Sequence, residues 1–177
     1  TNNIETVIDR AERFIPHNDE MEFQRVLLDD IRIDFHNQKI TQSYLDALQS
    51  VAQWNENPII EAYVGISETM LAEEAFWPIE KWNYFNHGQA KIEQAIDKDQ
   101  ANPELRYLRL LVQLNAPSFL SYDENIESDL DFYISNILNS GLNMMWIKKF
   151  CYNLLNGKRL SDLQRGRLNA FLLDIND

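Results

Sequence analysis

Cysteine occurs once, at Cys151, so no disulfide can close within the chain and no thiolate cluster can hold a metal ion. That usage suits the cytoplasm, and equally the periplasm after removal of a leader, so the compartment stays open. No signal-peptide pattern stands at the start, and the chain opens on Thr1, which leaves a leader, a tag or a domain boundary upstream all compatible with it. Long hydrophobic runs are missing too. The longest uncharged stretch, Phe132 to Ile147, is interrupted by Ser, Asn and Gly and is no membrane-spanning segment. Alternating runs of Val, Ile and Thr, the mark of strands, are absent. Positive charge is scarce: sixteen Lys and Arg face twenty-eight Asp and Glu, a net charge of -12 that repels phosphate backbones and argues against a nucleic-acid partner. The scarcity is uneven. Residues 148–177 carry six basic against three acidic side chains, and these are expected to neutralise acidic surface of the same fold.

What is present is enough apolar material for a core. Apolar residues make up 45% of the chain and aromatic ones 11%, well away from disordered compositions, and the length fits a single domain over residues 1–177. Glycine and proline, five of each, fall where an apolar repeat of three and four residues breaks, which is how helices are punctuated. A first helix is read from Ile4 to Ile15, stopped by Pro16, and a second from about Asp19 to Phe35 with Phe23, Val26, Leu27, Ile31 and Phe35 inward. Thr41 is the expected N-cap of a third helix to Trp54, burying Tyr44, Leu45, Leu48, Val51 and Ala52. Asn57-Pro58 opens a helix to about residue 76, with Pro78 ending it. Further helices follow over about 80–98, from Asn102-Pro103 to about Asn115, from Asp123 to Leu138, and from Leu142 to Leu155. A last one is signalled by the capping-box spacing of Ser161 and Gln164. The sum is about nine helices with short connections, hence antiparallel neighbours. They fall in N-terminal (about 1–55), repeat-like (about 58–115) and C-terminal (about 123–177) blocks.

The segment Ala90 to Tyr107, AKIEQAIDKDQANPELRY, resembles the end of one tetratricopeptide repeat and the start of the next, with small Ala95 at a helix approach and Asp99, Asn102 and Pro103 in the turn. Upstream, Ala62, Tyr63 and Gly65 resemble the small and aromatic positions of a repeat's first helix, although Gln100 stands where the family's turn proline falls. The longer run Asn102 to Phe132 is similar to a family of uncharacterised bacterial proteins with a tetratricopeptide-like fold. The resemblance implies an all-α chain of antiparallel helix pairs stacked as a right-handed superhelix, and it implies no activity.

Chemistry-bearing motifs are few. A dinuclear carboxylate site in a helical bundle needs Glu three residues before His, and His17, His36 and His87 all lack it. No H-E-x-x-H, phosphate-cradling glycine loop or nucleophile elbow occurs, so no cofactor, metal site or catalytic residue is expected. Glu61 and Glu68 share a helix face, read as solvated together with Glu73 and Glu74. The densest segment is Trp77 to His87, where four aromatics crowd a helix start. It is read either as the wall of a pocket or as core, with Trp82 and Phe85 inward and Trp77 stapling the helix entry. Arg106 and Arg109 flank Tyr107 at a spacing that clamps a carboxylate, from a ligand or from the chain's own acids. Phe119 and Tyr122 look exposed after Pro117. The expected function is a non-enzymatic helical-repeat module that binds a protein or peptide through Tyr63, Trp82, Tyr84, His87, Arg106 and Arg109. The rivals are a small-molecule binder or enzyme with a pocket near residues 77–87, and a structural component of the bacterial cell envelope.

Overall fold

The computed structural model describes residues 20–176, and every regular element among them is helical. There are eight α-helices in this range: α1 (Glu20–Asn37), α2 (Gln42–Trp54), α3 (Pro58–Ala72), α4 (Pro78–Lys98), α5 (Pro103–Asn115), α6 (Ile126–Asn136), α7 (Met144–Leu155) and α8 (Asp162–Asp174). Single 3₁₀ turns stand at Ser118–Leu120 and Ile137–Asn139. The expected count of nine becomes eight because the first expected helix, Ile4 to Ile15, lies outside the described residues. No described helix is long and apolar enough to cross a membrane.

Local capping chemistry sets most of the starts. Thr41 Oγ1 accepts from the Tyr44 amide at 3.2 Å, Asn57 Oδ1 from Ile59 at 2.9 Å, and Asn102 Oδ1 from Glu104 at 3.0 Å. Each satisfies one of the amides that the first turn leaves unpaired. Ser161 and Gln164 complete a reciprocal capping box. Pro78 behaves otherwise than the sequence suggested. The preceding helix stops at Ala72, and Pro78 opens α4, where Lys81 donates its amide to the Trp77 carbonyl at 3.1 Å. A proline at the first helical position loses nothing, since its missing N–H would be unpaired there.

The chain divides into two compact units, residues 1–95 and 96–177, with the boundary in the last turns of α4 and so inside the block 58–115. In the first unit α3 is the central element, packed by α1 and α2 and buried along most of its length. Its contact with α4 is set by glycine. A Cβ on Gly88 would lie 2.3 Å from the Gly65 carbonyl oxygen, and one on Gly65 would lie 2.6 Å from that of Gly88. The backbones therefore touch, and Phe85, Gly88, Ile92 and Ala95 form the buried stripe of α4. Glu68 is buried, against the solvated face expected of it: Lys91 Nζ reaches its two oxygens at 2.9 and 3.0 Å, and Gln49 donates to it at 3.1 Å.

The second unit is built on α5, which packs on α6 and α7, while α8 packs on α6 and α7. Its centre is aromatic. Tyr107 stacks on Phe150 with ring centroids 3.9 Å apart, and Tyr133 and Trp146 close the cluster at 6.2 and 5.8 Å. The polar tips inside are satisfied, because Asn153 donates to the Tyr107 hydroxyl at 3.0 Å and the Tyr133 hydroxyl meets Cys151 Sγ at 3.4 Å. Burial pushes the Cys151 thiol up to about 11 and holds both tyrosines above the usual phenol range.

Candidate functional site

The six residues singled out in the sequence fall into two groups. Tyr63, Trp82, Tyr84 and His87 belong to the first unit, Arg106 and Arg109 to the second. Tyr63 is fully enclosed, edge-on to the Phe35 ring at 5.1 Å, and presents no surface. Arg109 is buried as well. Its Nε and Nη2 each donate to one oxygen of Asp129 at 2.7 Å, with Gln113 donating to the same carboxylate at 2.9 Å. Gln113 in turn accepts the Asn125 amide at 3.1 Å, which ties the entry of α6 to α5. Arg106 stands 3.6 Å from Asp129 and lies over the Phe132 ring at 5.2 Å. The arginine pair does clamp a carboxylate, and the carboxylate belongs to this chain, which makes the cluster a helix-to-helix fastener.

Trp82, Tyr84 and His87 share the first half of α4, where the protein is open. A cleft of about 490 Å³ is lined by Gln42 from the start of α2, by Leu71, Glu74 and Ala75 at the end of α3, and by Glu80, Asn83, Tyr84 and His87 of α4. The Tyr84 hydroxyl donates to Gln42 Oε1 at 3.0 Å, and the Gln42 amide donates to Asp46 at 2.8 Å, so a hydrogen-bonded chain fixes one wall. Glu74 pairs with Lys39 at 2.8 Å, and the Lys81 ammonium donates to the Glu73 carbonyl at 3.2 Å.

Beside the lining residues the chain leaves large rings in water. Phe76 is 81% exposed, Trp77 59% and Trp82 52%, with Phe76 and Trp77 edge-to-face at 5.0 Å. Of the core assignment for this segment only Phe85 holds; Trp82 and Trp77 are outside. Three exposed rings of this size within seven residues of one another form a cluster, whereas exposed apolar residues are ordinarily scattered singly.

The sequence pointed to the α4 side of this cleft, because four aromatics within nine residues are visible without a structure. It did not point to Gln42, Leu71 or Ala75, which carry no local signal and arrive by tertiary packing. Among the described residues no group of three or more His, Cys, Asp or Glu is placed to hold a metal ion. Of the other loop aromatics, Phe119 is exposed as expected and Tyr122 is buried. In comparisons with known proteins, no family model, no curated protein and no solved structure matches the chain.

Proposed function

We propose that the chain is a helical interaction module that binds a peptide segment of another protein in the cleft at the start of α4. The observation that carries this reading is the coincidence of an open cleft with exposed Phe76, Trp77 and Trp82 next to its wall. The volume lies within the range of small-ligand sites, about 300–1,000 Å³, but such sites enclose most of their ligand and this one is open to solvent. Aromatic anchors around a polar recess are what protein-binding surfaces use, with the rings supplying most of the energy and the polar groups the register.

The packing of α1 on α3, α5 on α7 and α6 on α8 is of the kind that an array of stacked helix pairs makes, which supports a tetratricopeptide-like arrangement. In such arrays the recognition surface is built by successive helices, as α2, α3 and α4 build the cleft here.

Panning a random peptide display library against the protein tests the reading. Peptides are expected to be enriched whose binding is lost on joint Tyr84→Ala and His87→Ala substitution and kept on Tyr152→Ala, a change at an exposed ring of α7. Enrichment that survives the cleft substitutions, or no enrichment, rejects it.

A further inference from the structure

We propose that the segment this cleft takes up is cationic: a stretch in which Lys or Arg stands next to an aliphatic or aromatic anchor. The proposal rests on the peptide-binding reading and adds the chemistry of the partner. The charge of the described chain is concentrated on the cleft's own unit. Residues 20–95 hold thirteen Asp and Glu against five Lys and Arg, while residues 96–176 hold ten against nine. The cleft therefore lies in the part of the chain whose field attracts cations, and such fields act mainly on encounter rate and partner choice.

The lining repeats that sign at close range. It contains two carboxylates, Glu74 and Glu80, and neither Lys nor Arg. The cations nearby are both engaged away from Glu80: Lys81 with the Glu73 carbonyl, Lys39 with Glu74. Glu80 has no ion-pair partner among the described residues. The Lys39–Glu74 pair is 74% and 50% exposed, so solvent screens it and an incoming ammonium or guanidinium can replace Lys39 at little cost. The neighbouring rings fit the same partner twice over. Phe76, Trp77 and Trp82 offer apolar area to an anchor, and ring faces attract a cation through their quadrupole. An anionic segment would meet the two carboxylates and lose on encounter and on contact alike.

The test measures binding of short fluorescein-labelled peptides by anisotropy. One probe alternates pairs of Lys and Leu, and a second replaces every Lys by Glu. The Lys–Leu peptide is expected to saturate and to bind roughly tenfold or more tightly than the Glu–Leu peptide, with affinity falling as salt rises. Glu80→Lys is expected to weaken it by roughly tenfold, whereas Glu56→Lys, the same change of net charge on the exposed turn before α3, weakens it less than about twofold. Equal loss in both variants means non-specific attraction to an acidic chain and overturns the proposal, as does failure of the Lys–Leu peptide to bind. Equal binding of the two peptides, lost on joint Tyr84→Ala and His87→Ala substitution, overturns the cationic partner and leaves the peptide cleft standing. Equal binding that those substitutions leave intact overturns both.

Discussion

The two units are made of the same kind of helix, capped in the same way, yet they treat their polar groups differently. In residues 96–176 acids and bases nearly balance, and many of them meet: Asp129 gathers Arg109, Arg106 and Gln113, Arg159 pairs with Asp123, and Arg167 pairs with Glu127 and Asp131. The basic end of the chain thus does neutralise acids of its own fold. In residues 20–95 the acids are in excess, the helix crossing is bare backbone, and large rings stand in water beside an open cleft. A unit whose acids and bases nearly balance has little net field to draw a charged partner. The surplus of acidic charge in the first unit, with the rings of Phe76, Trp77 and Trp82 clustered beside its cleft, is what directs the functional reading there.

The contrast breaks most sharply at the buried carboxylates. Asp129→Ala takes from the buried Arg109 guanidinium the carboxylate that its Nε and Nη2 both bond, and a loss of about 3–5 kcal/mol is expected by urea unfolding. The matching change in the first unit, Glu68→Ala, takes an acceptor from Gln49 as well, but Lys91 is one-third exposed and can turn to water. Its loss is expected near 1 kcal/mol. Similar losses at both sites would mean that the two units bury charge alike, and the distinction would fall.

Glycine gives the next largest effect, in the opposite unit. Gly88→Ala puts a methyl 2.3 Å from a backbone carbonyl and 2.7 Å from Thr69 Cγ2, and the carbonyl cannot swing aside without moving α3. The gain in helix propensity, about 1 kcal/mol, does not offset that overlap, and a net loss of about 2–3 kcal/mol is expected. Gly166→Ala in α8 is the control. Nothing lies within 4 Å of its new methyl, so thermal unfolding is expected to show a gain of up to about 1 kcal/mol.

These positions also show what the sequence could carry. The caps at Thr41, Asn57, Asn102 and Ser161 were legible because a cap is a contact between residues two or three apart. Pro78 was read as a terminator, since a proline is compatible with following one helix and with opening the next, and only the hydrogen bond to the Trp77 carbonyl separates the two. The Gly65–Gly88 crossing and the Glu68–Lys91 pair each join residues twenty-three apart and leave no local trace. The site divides along the same line. Trp82, Tyr84 and His87 stand out by composition, Gln42 reaches the cleft through α2, and the spacing of Arg106 and Arg109 implies a carboxylate without saying that it is Asp129 of the same chain.

Alkaline pH sharpens the comparison at intermediate size. Burial raises the pH at which Tyr107, Tyr133 and Cys151 ionise in the second unit and Tyr44 in the first, where the charge of Asp34 adds to the effect. These groups ionise in the unfolded chain near their ordinary values of 9.0 for Cys and 10.0 for Tyr and resist ionisation when folded. Stability is therefore complete below about pH 9 and falls as pH rises past 9 for the thiol and past 10 for the phenols, by about 1.4 kcal/mol per pH unit for each group between its unfolded and folded values. Three such groups lie in the second unit. Trp146 is the lone tryptophan there, so a variant with Trp54, Trp77 and Trp82 changed to Phe reports that unit alone, and its fluorescence transition should move to lower urea between pH 8 and 11.

The smallest expected effect lies at the cleft itself. Trp82→Ala removes a ring that is half in water from the second turn of α4, gives up little buried area, and gains helix propensity. Thermal unfolding should change by no more than about 0.5 kcal/mol, against about 3–5 kcal/mol for Phe150→Ala in the stacked core of the second unit. On the reading proposed above, a ring of that size which does nothing for the fold serves as an anchor for the bound peptide. Were Trp82→Ala to destabilise the protein by as much as a core aromatic does, the ring would be part of the fold, and the first unit would lose one of the three exposed aromatics on which its contrast with the second rests.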